Sequence, residues 1–183
     1  MFNIVSPLLI IALFFFEILI ALRSPYGLDG AYQMNLVILF ALSIGSLSGV
    51  YSKISVVSLY FIAGELILSY FIAGITKLIS PMWRSSFALN AIFSTRAYGH
   101  SLFFQLISQR NVLTILMSWM IFLFELLFFL VLFLNPIHAI VLLVAGLLFH
   151  LFNAVFMGLN DFLFAFAAAY PALIYCIHQI HSR

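Results

Sequence analysis

The sequence predicts an all-α protein: a polytopic membrane helix bundle of about six transmembrane helices, with a long basic interfacial connection between the third and the fourth. Three observations predict it. Hydrophobic residues make up 66% of the chain and charged residues 7%, with a mean hydropathy of +1.26, which leaves too little polar surface to coat a water-soluble globule. The apolar residues fall in runs of about 17 to 25, the length that crosses a hydrocarbon core. Turn and cap residues separate the runs. A single integral membrane domain over residues 1–183 accounts for the pattern.

The first run is Ile4 to Leu22. Arg23 follows it and no basic residue precedes it, so it reads as a retained span and not a cleaved signal peptide. Met34 to Val50 is diluted by Ser43, Gly45, Ser46, Ser48 and Gly49, small residues that also suit close helix packing. Val56 to Ile75, Val112 to Leu134, Ile137 to Met157 and Phe162 to Ile180 complete the set. The breaks are Ser24-Pro25-Tyr26-Gly27, Tyr51-Ser52-Lys53, Asn135-Pro136 and Gly158-Leu159-Asn160-Asp161, where Asn160 or Asp161 is expected to cap the last helix.

The long connection, Lys77 to Asn111, carries Lys77, Arg84, Arg96 and Arg110, four of the seven basic residues, and no acid lies between Glu65 and Glu125. Leu102, Phe103, Leu106 and Ile107 share one helical face opposite Ser101, Gln105, Ser108 and Gln109, the pattern of a short helix in the interface plane. Trp83 and Tyr98 suit headgroup level, and Trp83 to Phe93 is expected to pack against the bundle. With six spans, Arg23 joins these four cations on the side expected to be cytoplasmic. The net charge of +2 is too small and scattered for a nucleic-acid footprint. Cys176 is the only cysteine, which excludes an intrachain disulfide and a thiolate-rich metal site.

Polar groups inside the spans are the functional candidates. Glu17, Glu65 and Glu125 sit mid-run, where a charged carboxylate costs at least ~2.5 kcal/mol unless protonated, paired or hydrated; three of them point to a polar interior. His150 and Asn153, three apart, face one side of the fifth span and can present a donor and an acceptor to a shared cavity. His138 is placed at a helix start, His100 in a loop, and the terminal pair His178 and His181 lacks the further ligands of a metal site, so none is assigned. Lys77 has two readings. It can complement a helix C-terminus and snorkel to the interface, or, in acid-free apolar surroundings, it can serve as a base.

Tyr70-Phe71-Ile72-Ala73-Gly74-Ile75-Thr76-Lys77-Leu78, followed by Trp83 and Phe87-Ala88-Leu89, resembles the pattern of the HTTM superfamily, which includes the vitamin K-dependent gamma-carboxylases and bacterial members similar to the sporulation-delaying-protein maturation factors. Glu125-Leu126-Leu127 and the stretch from His150 to Phe162, with Tyr170-Pro171 after it, extend the resemblance over about two thirds of the chain. The resemblance implies Lys77 as the base that deprotonates a reduced quinone such as vitamin K. In a protein of that kind His150 is expected as a catalytic partner and Trp83, Arg84, Glu125, Asn153 and Glu65 as substrate-binding residues, in a multi-pass protein of the bacterial plasma membrane. The DoxX and MauE-like families share only the Gly74 to Leu78 fragment.

Two function classes follow. One is an HTTM-type protein modifying or maturing a secreted peptide, or acting on a quinone. The other is a non-enzymatic component for export, maturation or immunity of a bacteriocin-like peptide, working with a partner membrane or soluble subunit, whose buried polar groups only hold helices together.

Overall fold

The computed structural model describes residues 6–24, 28–49, 52–85 and 87–182. These form helices throughout, with no strand among the described residues: α1 Pro7–Arg23, α2 Gly30–Leu47, α3 Lys53–Ile79, α4 Pro81–Arg84, α5 Phe87–Ser94, α6 Ser101–Ser108, α7 Asn111–Leu127, α8 Pro136–Met157 and α9 Asn160–His181. A 3-10 segment, Phe128–Leu132, prolongs α7.

Five helical stretches are long and apolar enough to cross a membrane: Gly30–Leu47, Lys53–Ile79, Asn111–Leu132, Pro136–Met157 and Asn160–His181. The first of the six expected spans is the one that differs. Its helix α1 has 17 described residues, and Ile4, with which the expected run opens, lies outside the described residues, as do Val50 at the end of the second run and the break residues 25–27. The small residues of the second run do pack closely: Ser43 and Gly45 are buried in α2, and the Ser55 hydroxyl of α3 donates to the Gly45 carbonyl at 2.8 Å.

Local chemistry sets the helix ends. Asp29 Oδ1 accepts from the amides of Ala31 and Tyr32 at 3.0 Å, Ser52 from Ser55 at 3.0 Å, and Asn135 from His138 at 3.1 Å, each quenching an orphan N–H of a first turn. His100 is more than a loop residue: its Nδ1 accepts from the Phe103 amide at 3.3 Å and caps α6. Gly158, with φ of +71°, ends α8 in the left-handed conformation that glycine adopts without steric cost. The expected cap of α9 is corrected. Leu159 holds the cap position without a side-chain bond, and Asp161 sits inside the first turn, where a carboxylate complements the helix dipole.

The packing centres on α3, which lies against α2, α7 and α9, while α8 packs on α9. Large apolar side chains such as Leu22, Val112, Ile137 and Phe164 point outward, as a lipid-facing surface requires. One contact fixes the register of α3 on α7: a side chain at Gly74 would meet the backbone nitrogen of Leu126 at 2.5 Å. Leu126 lies about 22 Å along α7 from Asn111 at the usual helical rise. The first turns of α7 therefore project past the end of α3, and α4 to α6 fill the space beside them. There Leu89, Phe93 and Ile107 form a second core with Met117, Ile121, Phe152 and Phe156. The α5 segment thus packs on the bundle as expected. The apolar stripe of α6 divides: Phe103 and Ile107 face that core, whereas Leu102 and Leu106 are exposed, because only one edge of the short helix meets α5 and α7.

Candidate functional site

Between α3, the α4–α5 segment, α7, α8 and the start of α9 lies a cavity of about 260 Å³. Its walls are mostly aromatic and aliphatic, with Trp83, Leu89, Phe93, Phe149, Phe152 and Phe162 among them, and Lys77, Glu125, His150, Tyr70 and Asn153 supply the polar groups. A mostly apolar concavity with a few convergent polar groups is the usual form of a small-molecule site.

Lys77 and Glu125 form the charged end. The Lys77 Nζ stands 2.8 Å from Glu125 Oε1 and 2.6 Å from Oε2, and this is the one ion pair among the described residues. Because side chains lean toward a helix's N-terminus, the lysine reaches back from the last turn of α3 into the bundle, and Glu125 on the antiparallel α7 leans to meet it. Two readings of Lys77 are thereby corrected. It does not snorkel outward, and its surroundings are not acid-free, since the register of α7 brings a carboxylate from 48 residues away. The Trp83 ring lies 5.3 Å from Nζ, close enough for cation–π attraction. An ammonium has three N–H groups; two contacts to Glu125 leave donor capacity toward the cavity.

The second polar cluster is built from two hydroxyls and an imidazole. His150 Nε2 and the Tyr70 hydroxyl are 2.8 Å apart, and the Tyr70 and Tyr170 hydroxyls 3.5 Å. Phe166 lies on the imidazole with centroids 4.3 Å apart, and Phe128 stacks on Tyr70 at 4.0 Å. Gly146, one turn before His150 on α8, makes room for this cluster, since a Cβ there would stand 2.2 Å from the Tyr170 oxygen. His150 Nδ1 is buried and has no hydrogen-bond partner. Asn153, one turn further along, also lines the cavity.

The sequence-derived candidates divide accordingly. Lys77, His150, Trp83, Glu125 and Asn153 come together on one cavity. Glu65 faces a neighbouring groove with Gln33, between α2, α3 and α9. Arg84 is exposed at the end of α4 and outside the cavity lining. Glu17 is half-buried on α1, and no group of three or more potential metal ligands occurs among the described residues. Tyr70 and Tyr170 were not singled out as site residues. The signal for Tyr70 was its spacing of seven from Lys77, two helical turns on the same face.

Comparison with curated proteins and with solved structures finds no match. The family model described as the HTTM domain matches residues 34–178, a segment that holds every side chain named on the cavity wall. The chain is therefore a membrane-helix protein belonging to the HTTM domain family.

Proposed function

We propose that this cavity takes a small lipid-soluble ring compound of the quinone class, and that Lys77, held by Glu125, acts as base on its hydroxyl. The protein would modify or mature a secreted peptide, or act on the quinone itself, at the bacterial plasma membrane. The observation that carries this reading is the opening of the Lys77–Glu125 pair onto an aromatic-walled cavity of about 260 Å³. Glu125 is the nearest acceptor for a proton leaving Lys77, with both carboxylate oxygens in hydrogen-bond contact with Nζ. One proton shift across 2.6 Å then gives a free amine beside the cavity.

The donor set supports such a ligand. Flat aromatic walls suit a ring, the ammonium suits an anionic or carbonyl oxygen, and the unpartnered His150 Nδ1 and nearby Asn153 offer further polar contacts. A reduced quinone would supply an acidic hydroxyl and reducing equivalents. Lys77 and His150 would hold its oxygens, and Trp83, Phe149 and Phe162 its ring.

The test compares, by mass spectrometry, the secreted and membrane peptides and the quinones of cells making the wild type with those of cells making Lys77→Met at equal accumulation. A species whose mass depends on Lys77 is the expected result, and identical spectra would sink the proposal.

The non-enzymatic reading has one observation in its favour: the same ion pair ties α3 to α7 beside the Gly74 contact, as a purely structural clamp would. It expects Lys77→Arg to retain full function, because arginine keeps the charge but does not give up its proton.

A further inference from the structure

We infer that Tyr70 is a positioning residue that decides whether His150 presents a hydrogen-bond donor or an acceptor to the ligand. The inference rests on the reading of the cavity as a ligand site. It uses three buried groups in series: Tyr170, Tyr70 and His150, with oxygen–oxygen and oxygen–nitrogen distances of 3.5 and 2.8 Å.

A neutral imidazole carries one N–H, so its two nitrogens always have opposite roles. Tyr70 also has one proton and two neighbours that can accept it. When its hydroxyl donates to His150 Nε2, the ring proton sits on Nδ1, which becomes a donor, and the Tyr170 hydroxyl is free to donate back to Tyr70. When the Tyr70 hydroxyl turns to the Tyr170 oxygen, Nε2 carries the ring proton and donates to Tyr70, and Nδ1 becomes an acceptor. No proton is gained or lost overall between the two arrangements. The atom that changes role is Nδ1, the one buried polar atom of this ring without a protein partner.

A ligand that exists as carbonyl and as hydroxyl can use this reversal, because only the second arrangement accepts a hydroxyl's proton. A carbonyl oxygen only accepts, so it is served by the first arrangement, whereas a hydroxyl can donate its proton to Nδ1 in the second. Gly146 keeps the space in which the tyrosine hydroxyls meet, since a Cβ there would come within 2.2 Å of one oxygen and 3.2 Å of the other.

Two measurements test this, one without ligand. Nitrogen NMR of histidine-labelled full-length protein in detergent, with the His150 signals assigned by His150→Asn, reads the tautomer directly. The wild type should show Nδ1 averaged between protonated and unprotonated positions. Tyr170→Phe should move it to the protonated position, because it removes the second arrangement alone; in a Tyr70→Phe background the same change should have no effect, because Nε2 then lacks its partner in both arrangements, and Lys77→Arg should leave the wild-type signal unmoved. The second measurement is quenching of Trp83 fluorescence by menadione and by menadiol in a Trp119→Phe background. Tyr170→Phe should weaken menadiol relative to menadione by about fivefold, the loss of one neutral hydrogen bond. A single tautomer in the wild type that Tyr170→Phe does not shift overturns the inference whatever the ligand result. Absence of quenching by both compounds, with the tautomers shifting as described, overturns the ligand assigned to the cavity and leaves the relay established.

Discussion

Lys77 and Glu125 meet across α3 and α7 with Nζ 2.6 and 2.8 Å from the two carboxylate oxygens, at side-chain exposures of 19% and 5%. The pair joins the chemistry of the cavity to the packing of its walls. Removing one partner of a buried pair leaves the other charge uncompensated, at a cost of about 3 to 5 kcal/mol, whereas replacing both by apolar groups is often near neutral. Glu125→Gln should therefore lower the unfolding temperature in detergent markedly, and Lys77→Met combined with Glu125→Leu should recover most of the loss. Simple addition of the two single effects would show that the groups do not interact.

Lys77→Arg separates charge from basicity. Arginine can keep the contact with Glu125 but cannot act as a base. We expect Lys77→Arg to accumulate like the wild type and to lose the Lys77-dependent product at least about a hundredfold, the scale of general-base catalysis. Product formation at half the wild-type level or more would assign the lysine to structure alone.

Residues 60–64 and 70–74 both read Tyr-Phe-Ile-Ala-Gly, yet the two glycines should respond differently. Alanine at Gly74 would press its Cβ onto the Leu126 backbone, while at Gly64 nothing lies within 4 Å. Gly74→Ala is expected to destabilise by about 1 to 3 kcal/mol, as overpacking does. Gly64→Ala should be neutral or stabilise by up to ~1 kcal/mol through helix propensity. Thermal unfolding of both proteins in one detergent decides the point, and equal shifts would contradict the described α3–α7 contact.

Arg84 and Asn153 were equal candidates by sequence, yet only Asn153 lines the cavity. Asn153→Leu is expected to weaken menadione binding by about threefold to tenfold, the loss of one polar contact. Arg84→Ala should leave it unchanged and alter stability by no more than about 0.5 kcal/mol. Titration by Trp83 quenching compares them, and a larger effect at Arg84 would place the ligand elsewhere.

Most of the bundle was legible because lipid imposes run lengths that composition displays directly. Lys77, His150 and Asn153 were legible because an ionisable or polar group inside an apolar run is rare enough to stand out. Glu125 stood out for the same reason, but its pairing with Lys77 did not, since contact across 48 residues depends on how far α7 slides along α3. That register is set by the Gly74–Leu126 contact and not by any local pattern. Glu65 failed to join the cavity for a geometric reason. Twelve residues before Lys77, it is turned by about 120° around α3, toward Gln33 of α2. Arg84 lies beyond the break at Pro81, so the periodicity of α3 says nothing about where it points. Tyr70 was hidden by its own type, because an aromatic residue in an apolar run reads as packing until a second polar group is found against its hydroxyl.

The distance in sequence between the two members of the ion pair also orders the birth of the molecule. Synthesis delivers the lysine 48 residues before its carboxylate, and the helices bearing His150 and Tyr170 later still. Until α7 arrives, the lysine faces a charge cost in lipid of about 2.5 to 3.5 kcal/mol and gains by drawing the end of α3 toward the aqueous boundary. Arrival of Glu125 removes that pull, so the amine enters the interior only as the bundle closes around it. The amine is thus held at the aqueous boundary on every unfinished chain. Labelling of Lys77 by a water-soluble amine reagent should be strong in chains stopped before Asn111 and weak in the complete protein; equal labelling would show that the lysine is buried before its partner exists.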